Sequence, residues 1–230
     1  MNFLKKISPK VLAFLIILCL SFILTGCPSD RTLIKFQDTL NIYAELIKYT
    51  DALSQKYNEY AHDLSAIEDD LDDLDLTMHS FLLKGKILKL SQNALDILEK
   101  MQEILDKQMD CNYDQSQIIS KLQGNIVEIT DPSKKPLAQE IADKLREINN
   151  LLFERTELYE KEVEYIYSYW ENLGFFSMDK ITFEIAFKNK EENDERIEEN
   201  EERIEELWKA IRSLATEISD LEAKLDSLGP

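Results

Sequence analysis

Apolar residues recur at helical spacing along most of the chain beyond residue 30. The first run repeats every seven residues, at Phe36, Tyr43, Thr50, Tyr57, Leu64, Leu71 and Met78. Such a repeat keeps one face of a helix apolar, and no segment alternates for long enough to indicate a strand. Glycine and proline interrupt the runs near Gly85, at 124–136 and near Gly174. The pattern predicts an all-α fold of four long helices, at about 31–84, 86–122, 136–173 and 178–228.

The strongest repeat lies at the end of the fourth predicted helix. Isoleucine dominates one series and leucine the other, at Ile197, Ile204, Ile211, Ile218 and Leu225, and at Asn200, Leu207, Leu214, Leu221 and Leu228. Isoleucine at position a with leucine at position d is typical of a two-stranded coiled coil. Two partners for this seam stay open. We favour another helix of the same chain over a parallel homodimer through residues 197–228.

The unequal predicted lengths suggest how the helices are arranged. The first and fourth helices are about 50 residues long, and the second and third are shorter. Short turns between them favour an up-down-up-down bundle. We therefore expect a single elongated antiparallel bundle over 27–230, in which 31–55 and 203–228 form a two-helix coiled-coil stalk.

The N-terminus has the organisation of an export signal. Its first ten residues carry three lysines and no acid, and residues 11–23 are apolar except for Ser21. This run is too short to span a bilayer stably, and it is followed by small residues. The tetrapeptide Leu24-Thr25-Gly26-Cys27 resembles the lipobox of bacterial lipoproteins. The resemblance implies that residues 1–26 are removed and that Cys27 is acylated with palmitate-type chains. An ordinary signal peptide or a signal anchor is the alternative.

The resemblance covers residues 1–27 only, and it concerns localisation. It implies a lipid-anchored, extracytoplasmic protein on a bacterial membrane. Pro28 stands where some Gram-negative lipoproteins carry an aspartate retention signal, which favours the outer membrane where the cell has one. The formal charge of the chain is −18, which excludes nucleic acid as a partner because phosphates require Lys and Arg. Attachment to an anionic membrane must then come from the lipid.

Few residues carry candidate chemistry. His62 and His79 are seventeen residues apart and fall on different faces of one helix, so they cannot share a metal ion. The acidic run 68–75 lacks the glycine of a calcium loop and has seam leucines at 71 and 74, so we interpret it as a solvated face. With no phosphate loop, nucleophile elbow or Cys/His cluster, we expect neither catalysis nor a metal or cofactor.

One cysteine is left after the signal and the lipid site are set aside. Cys111 either forms an intermolecular disulfide or is a small buried side chain, and we favour burial. Aromatic residues gather near the turn between the third and fourth helices, where Trp170, Phe175 and Phe176 are candidates for contact with a partner. The alternative is that these aromatic side chains close the end of the bundle as core.

Two function hypotheses follow. The first is a non-enzymatic, lipid-anchored envelope protein that binds an unidentified protein partner or acts as a spacer. The second is an extracytoplasmic ligand-sensing four-helix bundle, which would need polar seam residues such as Thr50, Gln108 and Gln115 around a cavity.

Overall fold

The chain folds into four long α-helices. The structure, a computed structural model, describes residues 31–74, 81–176 and 180–228, but not the side chains of 31, 81–82, 175–176, 180–192 and 226. The helices are α1 (Arg31–Asp72), α2 (Phe81–Glu128), α3 (Lys134–Phe176) and α4 (Lys180–Ser227). The prediction of an all-α helical bundle is confirmed. In the part of the chain that is described, no helix combines the length and apolar character needed to cross a membrane.

The first helix boundary differs from the prediction. Helix α1 ends at Asp72, and Gly85 lies inside α2. The last two turns of α1 are rich in aspartate, a poor helix former whose charge opposes the negative end of the helix dipole. A Cβ added to Gly85 would meet no atom within 4 Å, so packing there does not require glycine. The acidic run therefore ends α1, and glycine does not.

The second boundary was predicted within 124–136 and lies at 129–133. Gly124 lies inside α2, so the loop is shorter than expected. The Asp131 carboxylate accepts hydrogen bonds from the backbone N–H of Ser133, at 2.8 Å, and from its hydroxyl, at 2.6 Å. These bonds lower the pKa of Asp131 and satisfy a free N–H at the start of α3. Pro136 lies in the first turn of α3, as predicted.

The third predicted boundary, at Gly174, also lies inside a helix. A Cβ on Gly174 would lie 2.7 Å from Ser91 Oγ, which donates a hydrogen bond of 2.6 Å to the carbonyl oxygen of Trp170. Glycine is needed here because α2 approaches α3 closely, not because α3 ends.

The four helices have similar lengths, of 42, 48, 43 and 48 residues. The expectation of shorter second and third helices is therefore wrong. The expectation that only two helical segments form the stalk is also wrong. Residues 31–53 and 205–228 belong to one compact unit together with 108–155. Within that unit, Lys35 pairs with Glu128 across α1 and α2 at 3.0 Å, and Lys144 pairs with Glu217 across α3 and α4.

The helices contribute to two compact units. The first unit comprises 54–107 and 156–204, and the second comprises 31–53, 108–155 and 205–228. Each unit has its own apolar core. The predicted face of α1 is buried in both, with six positions each at most 5 % exposed: Phe36, Tyr43, Thr50, Tyr57, Leu64 and Leu71. Met78, the last residue of that repeat, lies outside the described residues.

Candidate functional site

The predicted contact residues have different positions. Trp170 is fully buried in the first unit and its ring lies 5.4 Å from that of Tyr169. Trp170 is thus a core residue, and its proposed role as an exposed contact is wrong. Phe175 and Phe176 end α3, but their side chains lie outside the described part of the structure. Cys27 and the signal segment lie outside it as well, so both remain predictions.

The predicted seam of α4 faces the interior of the chain. Ile204, Leu207, Ile211, Leu214, Ile218, Leu221 and Leu225 are all buried. Ile197 is half-buried and Leu228 is 45 % exposed. This burial corresponds to the intramolecular alternative. A homodimer through the same seam would first have to separate these residues from their own chain.

Two of the polar seam residues of the second unit, Thr50 and Gln115, contact each other in its core. The Thr50 hydroxyl lies 3.0 Å from Cys111 Sγ and accepts a hydrogen bond of 3.2 Å from Gln115 Nε2. Gln108 is buried nearby on α2. Burial raises the pKa of the Cys111 thiol, which is free. Cys111 is therefore a small buried side chain, which is the favoured alternative.

The candidate metal ligands are dispersed. His62 is exposed, and His79 lies outside the described residues. In the acidic run, Leu71 is buried while Asp69, Asp70, Asp72 and Asp73 face solvent, which is the solvated face expected of this segment. Among the residues that the structure describes, no three His, Cys, Asp or Glu side chains are grouped so that they could hold a metal ion.

A cavity of about 60 Å³ lies in the first unit, among α1, α3, α4 and Met101 of α2. Three of its lining residues are tyrosines, Tyr57, Tyr165 and Tyr169. Tyr57 also packs against Tyr159, with ring centroids 5.0 Å apart. The rest of the wall is apolar or acidic except for Ser65 and Asn193, and no lysine, arginine or histidine is among the described lining residues.

Glu162 of α3 is the most unusual residue of this wall. Its side chain lies in the core and the residue is only 8 % exposed. Its Oε1 is buried and has no hydrogen-bond partner among the described residues. Burial, with a smaller effect from the charge of Glu201, raises the pKa of Glu162 to about 8. At neutral pH most of this carboxyl population is therefore protonated.

Helix α4 completes the acidic side of the cavity. Glu201 and Asp194 both line it, and burial raises the pKa of Glu201, with the nearby Glu198 adding to the effect. Asn193 donates a hydrogen bond of 3.1 Å to the carbonyl oxygen of Tyr165, which joins α4 to α3. The guanidinium of Arg196 lies 5.5 Å from the centre of the Tyr165 ring. One tyrosine of the wall thus already holds a cation.

This cavity was not predicted from the sequence, although one pattern in α3 indicates a buried charged residue there. A seven-residue series in α3 carries two charged residues between apolar ones, and all five members are buried: Ile141, Ile148, Arg155, Glu162 and Tyr169. A glutamate in phase with buried isoleucines was the available indication.

The cavity therefore offers carboxyl groups, aromatic rings and a protected volume, and these suit a positively charged or hydrogen-bond-donating ligand. Chemistry at the site would have to use carboxyl or hydroxyl groups, since its described lining contains no stronger base. Comparison of the chain with protein-family models, with curated proteins and with solved structures gave no match.

Proposed function

We propose that the protein is a lipid-anchored helical protein of a bacterial cell envelope that acts by binding and not by catalysis. The observation that carries the proposal is the tetrapeptide Leu24-Thr25-Gly26-Cys27 directly after a short apolar run and a basic N-terminus. Diacylation or triacylation of Cys27 would anchor the chain stably, whereas one acyl chain would hold it only marginally. The acidic remainder would keep the helical body off an anionic surface.

Metabolic labelling tests the anchor. Cells that express the full chain are grown with an alkyne analogue of palmitate, and the label is detected on the purified protein. We expect label on the wild type, none on Cys27→Ser, and unchanged label on Cys111→Ser, since Cys111 is buried. The wild type should fractionate with membranes. Label that persists in Cys27→Ser would contradict the proposal.

Binding of a protein partner is the first way in which such a protein would act. With Trp170 in the core, the adjacent Phe175 and Phe176 at the end of α3 are the remaining contact candidates. A photocrosslinking amino acid at position 176 in intact cells tests them. A discrete crosslinked protein that disappears when Phe175 is changed to serine supports this role. Crosslinks confined to the chain itself would favour the spacer role.

Ligand sensing is the second candidate function, and the cavity favours it. The polar residues expected to surround a ligand, Thr50, Gln108 and Gln115, pack in the core of the second unit. The first unit instead contains a cavity with a buried carboxyl oxygen that lacks a partner among the described residues. A ligand would therefore bind in the first unit.

A further inference from the structure

We infer that the cavity lined by Tyr57, Glu162 and Glu201 binds a small organic cation, an alkylammonium ion of a few heavy atoms. The inference deepens the second candidate function and rests on it. It is independent of the lipid anchor, because the cavity lies wholly within the first unit.

The charge of the wall is the first reason. Four carboxyl groups line the cavity, those of Glu68, Glu162, Asp194 and Glu201. The described lining contains no lysine or arginine, and Arg196 lies beside it over the ring of Tyr165. The charge of Glu201 raises the cost of ionising Glu162, since the two carboxylates repel each other. A cation in the cavity would remove that repulsion.

The unsatisfied oxygen is the second reason. Glu162 Oε1 is buried at the cavity wall without a hydrogen-bond partner among the described residues. A buried polar atom without a partner costs free energy, and more so when it is charged. An ammonium group has up to three N–H donors, and its hydrogen bond to a carboxylate is charge-assisted. Such a ligand would satisfy Oε1 and stabilise the ionised form of Glu162.

The aromatic wall is the third reason. A cation is attracted to the face of a tyrosine ring, and the attraction increases when water is excluded. Tyr57, Tyr165 and Tyr169 line the same small space as Glu162. The position of Arg196 over Tyr165 illustrates this interaction in the same region.

Size and ligand geometry select the class of cation. A cavity of about 60 Å³ has room for about four to six water-sized groups. That volume suits an ion such as propylammonium, and a large polyamine would not be enclosed. A divalent metal ion would need a convergent set of oxygen ligands. The described acidic side chains contain no group of three that could hold one.

The protonation of Glu162 makes this binding depend on pH. The titratable residues of the other helices that line the cavity with it are Tyr57 and Glu68 from α1 and Asp194 and Glu201 from α4, while α2 contributes the uncharged Met101. With a pKa of about 8, Glu162 must lose a proton before it can pair with a cation. About a tenth of the carboxyl groups are ionised at pH 7 and about nine-tenths at pH 9. Alkylamines stay protonated to about pH 10. Affinity should therefore rise about tenfold between pH 7 and pH 9.

A methionine in the wall provides a direct readout. Met101 lines the cavity, whereas Met109 lies in the second unit and serves as an internal control. We would label the methionine methyl groups of the full lipidated protein with ¹³C in non-ionic micelles and assign Met101 with Met101→Leu. Propylammonium chloride is then titrated at pH 7 and pH 9, with sodium chloride at matched ionic strength and with calcium chloride as comparisons.

We expect propylammonium to shift the Met101 methyl signal saturably, leave Met109 unchanged, and bind about tenfold more tightly at pH 9. Glu162→Gln should weaken binding at pH 9 at least tenfold. Glu164→Gln changes an exposed residue of the same helix, and its affinity for propylammonium should equal that of the wild type. Glu201→Gln provides a second, half-exposed variant that should also weaken binding.

Three results would overturn the inference. The first is the absence of a saturable Met101 shift with propylammonium at pH 9. The second is a propylammonium affinity in folded Glu162→Gln and Glu201→Gln equal to that of the wild type, and the third is a titration curve with sodium or calcium chloride that matches the one with propylammonium chloride. A missing shift in protein that carries the palmitate label would refute the cation site alone. A normal shift in protein without the label would refute the anchor alone.

Discussion

The buried carboxyl of Glu162 should make the stability of the protein fall as pH rises. Burial, together with the charge of Glu201, raises the pKa of Glu162 from 4.5 to about 8. Between these two values the unfolded chain ionises this group while the folded chain keeps it protonated. The unfolded state then binds fewer protons, so the free energy of unfolding decreases with pH. The decrease begins near pH 4.5 and ends near pH 8.

The magnitude follows from the same two values. A pKa difference of one unit is worth a little over 1 kcal/mol, so the full change amounts to about 5 kcal/mol. Between pH 5 and pH 9 about 4 kcal/mol of it remains. Glu162→Gln keeps the shape of the side chain and removes its charge. The variant should therefore unfold with nearly the same free energy as the wild type at pH 5 and should be more stable at pH 9 by about 4 kcal/mol.

Two tryptophans allow the effect to be assigned to a unit. Trp170 lies in the first unit with Glu162, and Trp208 lies in the second, where the Arg155 guanidinium is 4.6 Å from the centre of its ring. Urea unfolding at five pH values between 5 and 9 would be followed by circular dichroism and by Trp170 fluorescence in a Trp208→Phe background. Other carboxyl groups affect the free energy of unfolding of both proteins alike. Their contribution therefore cancels when the wild-type value is subtracted from that of the variant at each pH.

Parallel stability profiles for the wild type and Glu162→Gln would refute the reasoning, because the buried carboxyl would then titrate alike in both states. The matched control is Glu164→Gln, an exposed carboxyl two residues away. Its profile should follow that of the wild type. A divergence as large as that of Glu162→Gln would mean that net charge, and not burial, causes the dependence.

Two further pairs of substitutions test the packing. Gly85→Ala should raise the free energy of unfolding by about 1 kcal/mol through helix propensity, whereas Gly174→Ala should show no gain, because its Cβ meets Ser91 Oγ at 2.7 Å. Adding Ser91→Ala to Gly174→Ala should restore part of that gain. Chemical denaturation of the three variants measures the free energy of unfolding of each. Leu207→Ala, at a position 1 % exposed, should cost about 2–5 kcal/mol, and Leu228→Ala, 45 % exposed, should cost little. Equal costs in thermal or urea unfolding would contradict an intramolecular seam.

The buried faces of the helices could be predicted from the sequence because they depend on spacing alone. In α1 the repeat from Phe36 to Leu71 is buried throughout its length, even where the residue is the polar Thr50. Helical periodicity determines which residues share a face, and a long apolar face has to be buried. The fold class follows from the same repeat.

The helix boundaries could not be predicted from glycine. A glycine inside a helix costs only about 1 kcal/mol, which tertiary packing readily offsets. Gly85, Gly124 and Gly174 all lie within helices. The boundary after Asp72 depends on the low helix propensity of aspartate and on negative charge at the end of a helix. Gly174 does not mark a boundary and lies where Ser91 approaches α3 closely.

The cavity could not be predicted because its lining residues come from all four helices and extend from Tyr57 to Glu201 in the sequence. Glu162 stands in a stretch of mixed charge and aromatic residues, where a glutamate is ordinarily exposed. Residues of α1 and α4 line the cavity together with it, so its burial depends on how these helices approach α3. The sequence indicates the burial of Glu162 only through its place in a seven-residue series with buried isoleucines. That its Oε1 lacks a hydrogen-bond partner among the described residues is apparent only in the three-dimensional structure.

The contact between Thr50 and Cys111 has a consequence for the alignment of α1 against α2. The residues seven positions before and after Cys111 are both isoleucines, Ile104 and Ile118. Sliding α2 by one heptad in either direction would keep an apolar interface but would place a bulky isoleucine against the threonine hydroxyl. The contact with the small thiol would be lost, and packing would be strained. A heptad pattern alone leaves such slipped pairings close in energy, so this pair distinguishes one alignment from its neighbours.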